Sequence, residues 1–470
     1  MVGRTERLSE FRHRKPAHRH THRERKMKSI RTLIITCLVL SPLCAQGADF
    51  VERKVQGFKI YVSKKALADP NHDKAMEHLG QQLFQVTFVL PLKAVKELRR
   101  VPIWLAAGEK RLGIAFHPSR KWLTDRGYQP PKPKSLIGIV SGKHFLHEAL
   151  RQPWLTFHEL CHGYDWFTLG RLKQYGNAIN ADAYRVAMAS GKYKNALHWN
   201  SRRRKPYHAT NKMEFFAETS EAFFGTNDIF PFVRAELRDH DPATYRTLAG
   251  LWGVDLDKEH KREADLMKVR TVKSTSVKKP KNKPVLLMIE GWKVYVSRKV
   301  GPYTFAKLIP ILRRDLHYIT RYVPQRSLRL MRKKPIFVHQ SSKLQHVSHQ
   351  LVPHAVVIGN AANYVRFAPR QPSVILRHLA HLHYRSLTTD QRTVWMVFYL
   401  SHKSKGRKTY KSVLRIDGKR VRHPGLKDAA TLFAELSATR YGTNDHYPFV
   451  TAELKDIDGS SHKMLTDFYK

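Results

Sequence analysis

The run Trp154-Leu155-Thr156-Phe157-His158-Glu159-Leu160-Cys161-His162 places two histidines four residues apart with a glutamate beside the first. On a helix, positions i and i+4 share one face. Both imidazoles can then reach one Zn²⁺ ion, and Glu159 can reach a water beside it; this is the H-E-x-x-H pattern. Apolar residues surround the polar trio: Trp154, Leu155 and Phe157 lead in, and Tyr164, Trp166 and Phe167 follow. That is the pattern of a buried helix presenting only its ligands to a cavity. Gln152-Pro153 suits the first turn, where proline is tolerated, and the spacing predicts a helix over 149–168.

Two histidines do not complete a catalytic zinc site, which usually takes three protein ligands. The extended form with a further glycine and histidine is absent, since Asp165 and Thr168 occupy those positions. Asp165 lies three residues after His162 on nearly the same face and is one alternative. Cys161 reads as a small buried hydrophobe. Better candidates lie downstream, where Glu214, Glu218 and Glu221 recur at i, i+4 and i+7 and form one stripe. Phe215, Phe216, Ala222, Phe223 and Phe224 complete a helical pattern over 212–224. Thr210-Asn211 supply its N-cap and Gly225 its C-cap.

H-E-x-x-H followed by Y-x-x-T-N-x-x-E-F-F-A-E, from Tyr207 to Glu218, resembles the gluzincin metallopeptidases of the anthrax lethal factor type. The chain is also similar to bacterial metallopeptidases that share Q-P-W-x-x-x-H-E-x-x-H. These also share E-x-F-A-E-x-x-E-A-(F/Y)-F-G-T-N-D-x-(F/Y)-P-F-V-R-A-E-L, which here runs from Glu214 to Leu237. The likeness spans about residues 57–252. It implies that His158, His162 and Glu214 hold zinc, that Glu159 is the general base, and that Tyr207 faces the metal. It also makes Glu218 the group that accepts from a ligand histidine N–H and fixes its tautomer. The chemistry is coherent: zinc acidifies water, a carboxylate takes and returns the proton, and a phenol donates to the developing oxyanion.

The chain repeats itself. Gly57-Phe-Lys-Ile-Tyr-Val-Ser-Lys64 recurs as Gly291-Trp-Lys-Val-Tyr-Val-Ser-Arg298, and Val101-Pro-Ile-Trp104 as Lys334-Pro-Ile-Phe337. Gln152-Pro153 recurs as Gln371-Pro372, and Gly225-Thr-Asn-Asp228 as Gly442-Thr-Asn-Asp445. Phe230 to Leu237 recurs as Tyr447 to Leu454. Matches in one order mean duplication, with about 200 residues for each copy, enough for a core. The second copy loses the metal set: Arg377, His378 and Thr431 stand where His158, Glu159 and Glu214 stand in the first. Only His381 and Glu435 keep the residue types of His162 and Glu218. His378, His381 and His383 still cluster, and read as core or surface histidines. About fifteen residues are missing from the second copy between its first strand and this helix.

The expected organisation is an α+β fold of tandem zincin-like domains, each a small sheet with an active-site helix bundle. The domains are 48–256 and a degenerate pseudopeptidase at 285–470, joined by a polar, basic, flexible linker at 257–284. Strands are expected at 57–63, Pro102–Leu105, Gly113–His117 and Leu136–Ser141, and helices at 72–99, 177–190, 231–239 and 242–251. Residues 191–211 would form a loop over the site. Met27 to Ala48 has a basic start, an apolar stretch and small residues, as in a secretory signal peptide at 27–47. Residues 1–26 read as an over-extended start, so the mature protein would be secreted or periplasmic, without a transmembrane anchor. Of three cysteines only Cys161 lies beyond that segment, which excludes an intramolecular disulfide there.

Residues 1–47 carry 11 Lys+Arg and 3 Asp+Glu; without them the net charge of +47 falls to about +39. Such a field attracts polyanions without specifying one. Secretion argues against a specific nucleic acid, and an acidic surface polymer or acidic protein substrate fits. Arg202-Arg-Arg-Lys205 precedes Tyr207, where it would line a cleft rim. The sequence thus reads as a secreted zinc endopeptidase acting on a peptide or protein substrate. The other reading is a binding protein with a structural zinc, its basic surface docking an acidic partner.

Overall fold

The computed structural model describes residues 49–470 except 109–112, 140, 172–174, 176, 272–282, 345, 372 and 405–407. The start and signal segments expected at 1–26 and 27–47 lie outside the described residues. Among the described residues no helix is long and apolar enough to cross a membrane.

The fold is α+β. Its first sheet holds β1 (Phe50–Val55), β2 (Phe58–Ser63), β3 (Ile103–Leu105), β4 (Ile114–His117) and β5 (Leu136–Ile139), in the order β1-β2-β3-β5-β4. β1 and β2 form an antiparallel hairpin, β2, β3 and β5 run parallel, and β4 returns antiparallel along β5 as the edge. The turn after β1 uses Gln56 and Gly57 at positive φ. In β2 the alternation Phe58, Ile60, Val62 buries one face completely. The helix expected over 72–99 is two, α1 (His72–Val89) and α2 (Leu92–Leu98). Pro91 divides them, because a proline disfavours helical backbone at the residue before it; Leu90 is extended at ψ 156.

The metal-motif helix α3 (Leu155–Tyr164) begins later than 149 and continues as a π-turn over Asp165–Leu169. It packs against β4, β5 and α4 (Lys212–Phe224). Asn211 caps α4 as expected, its Oδ1 accepting from Met213 and Glu214 N–H, each at 2.9 Å. Gly225 ends α4 for a reason other than left-handed backbone, since its φ is −151°. A Cβ there would sit 1.9 Å from the Trp154 ring, so glycine lets the N-cap residue of α3 lie against the end of α4.

The second half repeats the topology. Strands β6 (Val285–Ile289), β7 (Trp292–Val296), β8 (Ile336–Val338), β9 (Val347–Ser348) and β10 (Val356–Ile358) order as β9-β10-β8-β7-β6, with the same parallel and antiparallel pairings. The strand registers locate the deletion. Ile114 pairs with Ile139 as Val347 pairs with Ile358, so the residues lost lie between the edge strand and its neighbour. In the first half that connection holds the helix Arg120–Thr124. The long helix α6 (Pro302–Tyr322) precedes β8, and α7 (Val374–Tyr384) and α8 (Ala429–Tyr441) stand where α3 and α4 stand in the first half.

One expectation is corrected. The stretch read as a flexible linker begins with α5 (Leu256–Thr271), a helix between α4 and β6. Glu259 of α5 pairs with Arg234 at 3.2 Å and with Arg370 of the second half. Polar composition concealed a helix held by ion pairs, not by an apolar stripe. Residues 49–470 accordingly form one compact unit, with the two halves in contact.

Those contacts are reciprocal. Arg203 pairs with Asp456 at 2.6 Å, and their counterparts Arg420 and Asp239 pair at 3.0 Å. Thr226 and its counterpart Thr443 share a hydroxyl hydrogen bond of 2.9 Å. Leu197, Phe232, Val233 and Ala235 form one buried cluster with their counterparts Leu414, Phe449, Val450 and Ala452. Like surfaces meet like, as in an isologous dimer.

Candidate metal centre

His158 and His162 project from α3, one turn apart, toward Glu214 in the first turn of α4. His158 Nε2 lies 3.1 Å from His162 Nε2 and 3.1 Å from Glu214 Oε2, and His162 Nε2 lies 3.4 Å from that same oxygen. Donors around a tetrahedral zinc at 2.0–2.1 Å stand roughly 3.3 Å apart. The three donor atoms thus have the spacing of three corners of such a site. This His-His-Glu group can hold a metal ion, and Asp165, buried at the start of the π-turn that continues α3, is not among its residues.

The electrostatics point the same way. His158 Nδ1 lies 2.7 Å from Glu221 Oε1. That carboxylate fixes the proton on Nδ1 and turns the Nε2 lone pair toward His162 and Glu214. Lone pairs and a carboxylate facing one another at 3.1 Å need a metal ion or a shared proton between them. Without a metal, a second proton meets this need. Burial opposes charge on His158, yet the bonds to Glu214 and Glu221 win and raise its pKa well above the ordinary value. Burial likewise pushes Glu214 up, but His158 and His162 hold it far below the usual carboxylate range. In the second half a fixed cation replaces His158 itself and serves different carboxylates. Arg377, at the His158 position, sends its guanidinium to Glu435 at 3.5 Å and to both Asp445 oxygens at 3.2 Å. These are the counterparts of Glu218 and Asp228.

Glu221 therefore takes the place expected of Glu218, whose Oε1 is 3.9 Å from His158 Nδ1. A helix turns about 100° per residue. Residue i+7 returns about 20° short of Glu214 and i+4 overshoots by about 40°, so the spacing itself favoured Glu221. Gln152 supports the arrangement by donating to Glu221 Oε1 at 2.7 Å. The acidic stripe is thus buried against α3, not solvated; Glu218 and Glu221 are 3 % and 0 % exposed.

Glu159 points to the sheet edge, where its Oε2 accepts from the Phe116 backbone N–H of β4 at 2.6 Å. Burial raises its pKa, against the pull of His158, His162 and that N–H. In the second half His349 occupies the position of Phe116, and its Nδ1 meets Nδ1 of His378, the counterpart of Glu159, at 3.0 Å. His349 also stacks on His381 at 3.9 Å. His383 leaves that cluster and bonds to Ser327 Oγ at 3.1 Å.

Tyr207 stands in a short 3₁₀ turn before α4, 52 % exposed. Burial of its ring edge raises its phenol pKa, as does Glu214, to which it hydrogen-bonds. Tyr175 was not foreseen. Burial raises its phenol pKa, with Glu159, Asp165 and Glu214 adding to the effect, which places it among the same carboxylates. The basic run on the expected rim is partly spent on structure. Arg203 pairs with Asp456 and Arg204 donates to His198 at 3.2 Å, while Arg202 and Lys205 stay exposed. No known family model, curated protein or solved structure matches the chain.

Proposed function

We propose that the first half is a zinc-dependent peptidase and that the second is a catalytically degenerate copy. The observation that carries this reading is the group of three donor atoms 3.1–3.4 Å apart beside a buried, separately held carboxylate. A zinc ion held by His158, His162 and Glu214 would supply Lewis acidity to a water and to a peptide carbonyl. Glu159, one residue past His158 and anchored by Phe116 N–H through one oxygen, keeps the other for a proton. It takes that proton from the attacking water and returns it to the leaving amine. Tyr207 donates its O–H to the carbonyl oxygen as charge develops there, and its exposure matches a group that meets substrate. Glu221 keeps the His158 tautomer in which Nε2 is a ligand. A zinc used only as a staple has no need of Glu159, which separates this reading from that of a binding protein. Export of the enzyme is part of the proposal and rests on the sequence of residues 27–47.

The test is metal content and peptide hydrolysis in parallel. Wild type should hold one zinc per chain, lost in Glu214→Ala. Glu159→Gln should keep the zinc and lose about 10²–10⁴ in turnover, the usual contribution of a general base. Full activity in Glu159→Gln would sink the mechanism. Zinc indifferent to Glu214 would sink the ligand set.

A further inference from the structure

α3 has no cap of its own. Its N-cap residue is Trp154, whose side chain accepts nothing, so the first N–H groups of the metal-binding helix need a partner from elsewhere. Gln82 of α1 supplies it. Its Oε1 accepts from Thr156 N–H at 3.0 Å and from the Thr156 hydroxyl. Its Nε2 donates to Pro153 O at 3.2 Å. One amide thus clamps both sides of the first turn, two residues from His158.

That clamp has a direction. Thr156 N–H can only donate, so the Gln82 oxygen faces it and the Gln82 nitrogen faces the other way. The same nitrogen lies 3.1 Å from His78 Nε2, which must therefore accept, leaving the His78 proton on Nδ1. His78 Nδ1 lies 3.1 Å from His317 Nε2, so that nitrogen accepts too. His78 is fully buried, and burial, with Arg321 and His317 nearby, keeps it neutral as this chain of bonds requires. His317 belongs to α6, in the second half. One turn further along α6, Arg321 donates to Leu146 O at 2.6 Å and Tyr322 to Ala149 O at 3.0 Å. Both carbonyls end the helix Gly142–Glu148 that leads into α3.

We infer that His317, in the degenerate half, is a positioning residue for the metal-binding helix of the other half, acting through His78 and Gln82. The inference rests on reading His158, His162 and Glu214 as the metal site. It gives the second copy a task that needs no chemistry of its own, namely to supply the acceptor that orients His78 and hence the Gln82 clamp. The same directionality argues against a metal at Glu77, Glu290 and His317, whose ligand atoms also lie within 4.8 Å of one another. The remaining nitrogen there, His317 Nδ1, carries the proton.

Histidine ¹⁵N NMR on the full-length protein and a chelator-competition titration with zinc test this together. His78 should be protonated on Nδ1. His317→Leu, which removes the acceptor, should weaken zinc binding about tenfold, the lower range for loss of an outer hydrogen bond at a metal site. His317→Gln, whose amide oxygen can accept, should stay within about twofold of wild type. A packing role alone would make the Gln variant at least as damaging as the Leu variant. Wild-type zinc affinity in His317→Leu, or a proton on His78 Nε2, overturns the inference. Should His317→Leu not fold, Gln82→Glu keeps the acceptor for Thr156 N–H but removes the donor to His78. The His78 proton should then move to Nε2, and an unmoved proton overturns the inference. Absence of zinc from the wild type would instead refute the metal-site reading, and the His78 proton position would then decide the hydrogen-bond chain by itself.

Discussion

At the residue scale the site divides into parts that a sequence announces and parts that it does not. His158, Glu159 and His162 declare themselves by spacing, and Glu214 stands out from Glu218 and Glu221 only through the resemblance its motif carries. His158 and His162 come together as expected because i, i+4 geometry needs no knowledge of the fold, whereas Glu214 joins them through the packing of α4 on α3. The partner of His158 was not so legible. Glu218 and Glu221 both lie on the stripe, and only the packing of α4 on α3 brings Glu221 to 2.7 Å and leaves Glu218 at 3.9 Å. Phe116 was invisible as a functional residue because it acts through its backbone N–H. The contrast between the two glutamates is testable. Glu221→Gln should weaken zinc binding by about 10–100-fold, as when an outer partner of a ligand histidine is lost. Glu218→Gln should do clearly less, and chelator competition on both variants compares them directly. Equal losses would return the role to the pair.

At the element scale, α5 shows where reading by composition fails. Residues 257–271 are charged and lack an apolar stripe, yet Leu266 and Glu263 are buried and Glu259 sits between Arg234 and Arg370. Hydrophobic periodicity reports helices that bury a face, whereas this one is fixed by charges on other elements. Burial pushes Glu259 upward, but Arg370 and Arg234 prevail and lower its pKa from 4.5 to about 2. A carboxylate depressed by folding stabilises the protein above its unfolded value and loses that contribution as pH falls through the folded one. Wild type should therefore exceed Glu259→Gln in stability by about 3 kcal/mol near neutrality. The gap should close between about pH 4.5 and 2. Denaturant titrations at several pH values measure it, and a pH-independent gap would remove the ion pairs as its cause.

At the scale of the whole molecule, the two repeated halves form one body with an isologous seam, not two beads on a string. The repeat was legible as paired motifs, but its consequence was not, because a sequence match does not reveal that Thr226 meets Thr443 or that Arg203 meets Asp456. On that seam Glu236 and its counterpart Glu453 hydrogen-bond each other, 4 % and 2 % exposed. Each also accepts the two backbone N–H groups that begin its own helix, from Phe232 and Val233 and from Phe449 and Val450. Two buried carboxylates in contact cannot both be charged, so one keeps a proton. Burial raises both pKa values, and for Glu453 the neighbouring Glu236 adds to the rise. A carboxyl raised by folding contributes fully below its ordinary value of 4.5, and that contribution is lost as pH climbs through the folded value. The seam should therefore weaken toward alkaline pH. Glu453→Gln makes the shared donor permanent, since its amide N–H can face Glu236 while its oxygen still accepts from Phe449 and Val450. This variant should melt about 2 °C or more above wild type at pH 8, and the gain should vanish below pH 4.5. Melting curves across that range decide the matter. A Gln variant less stable than wild type at pH 8 would mean that the carboxylate pair is satisfied without a shared proton.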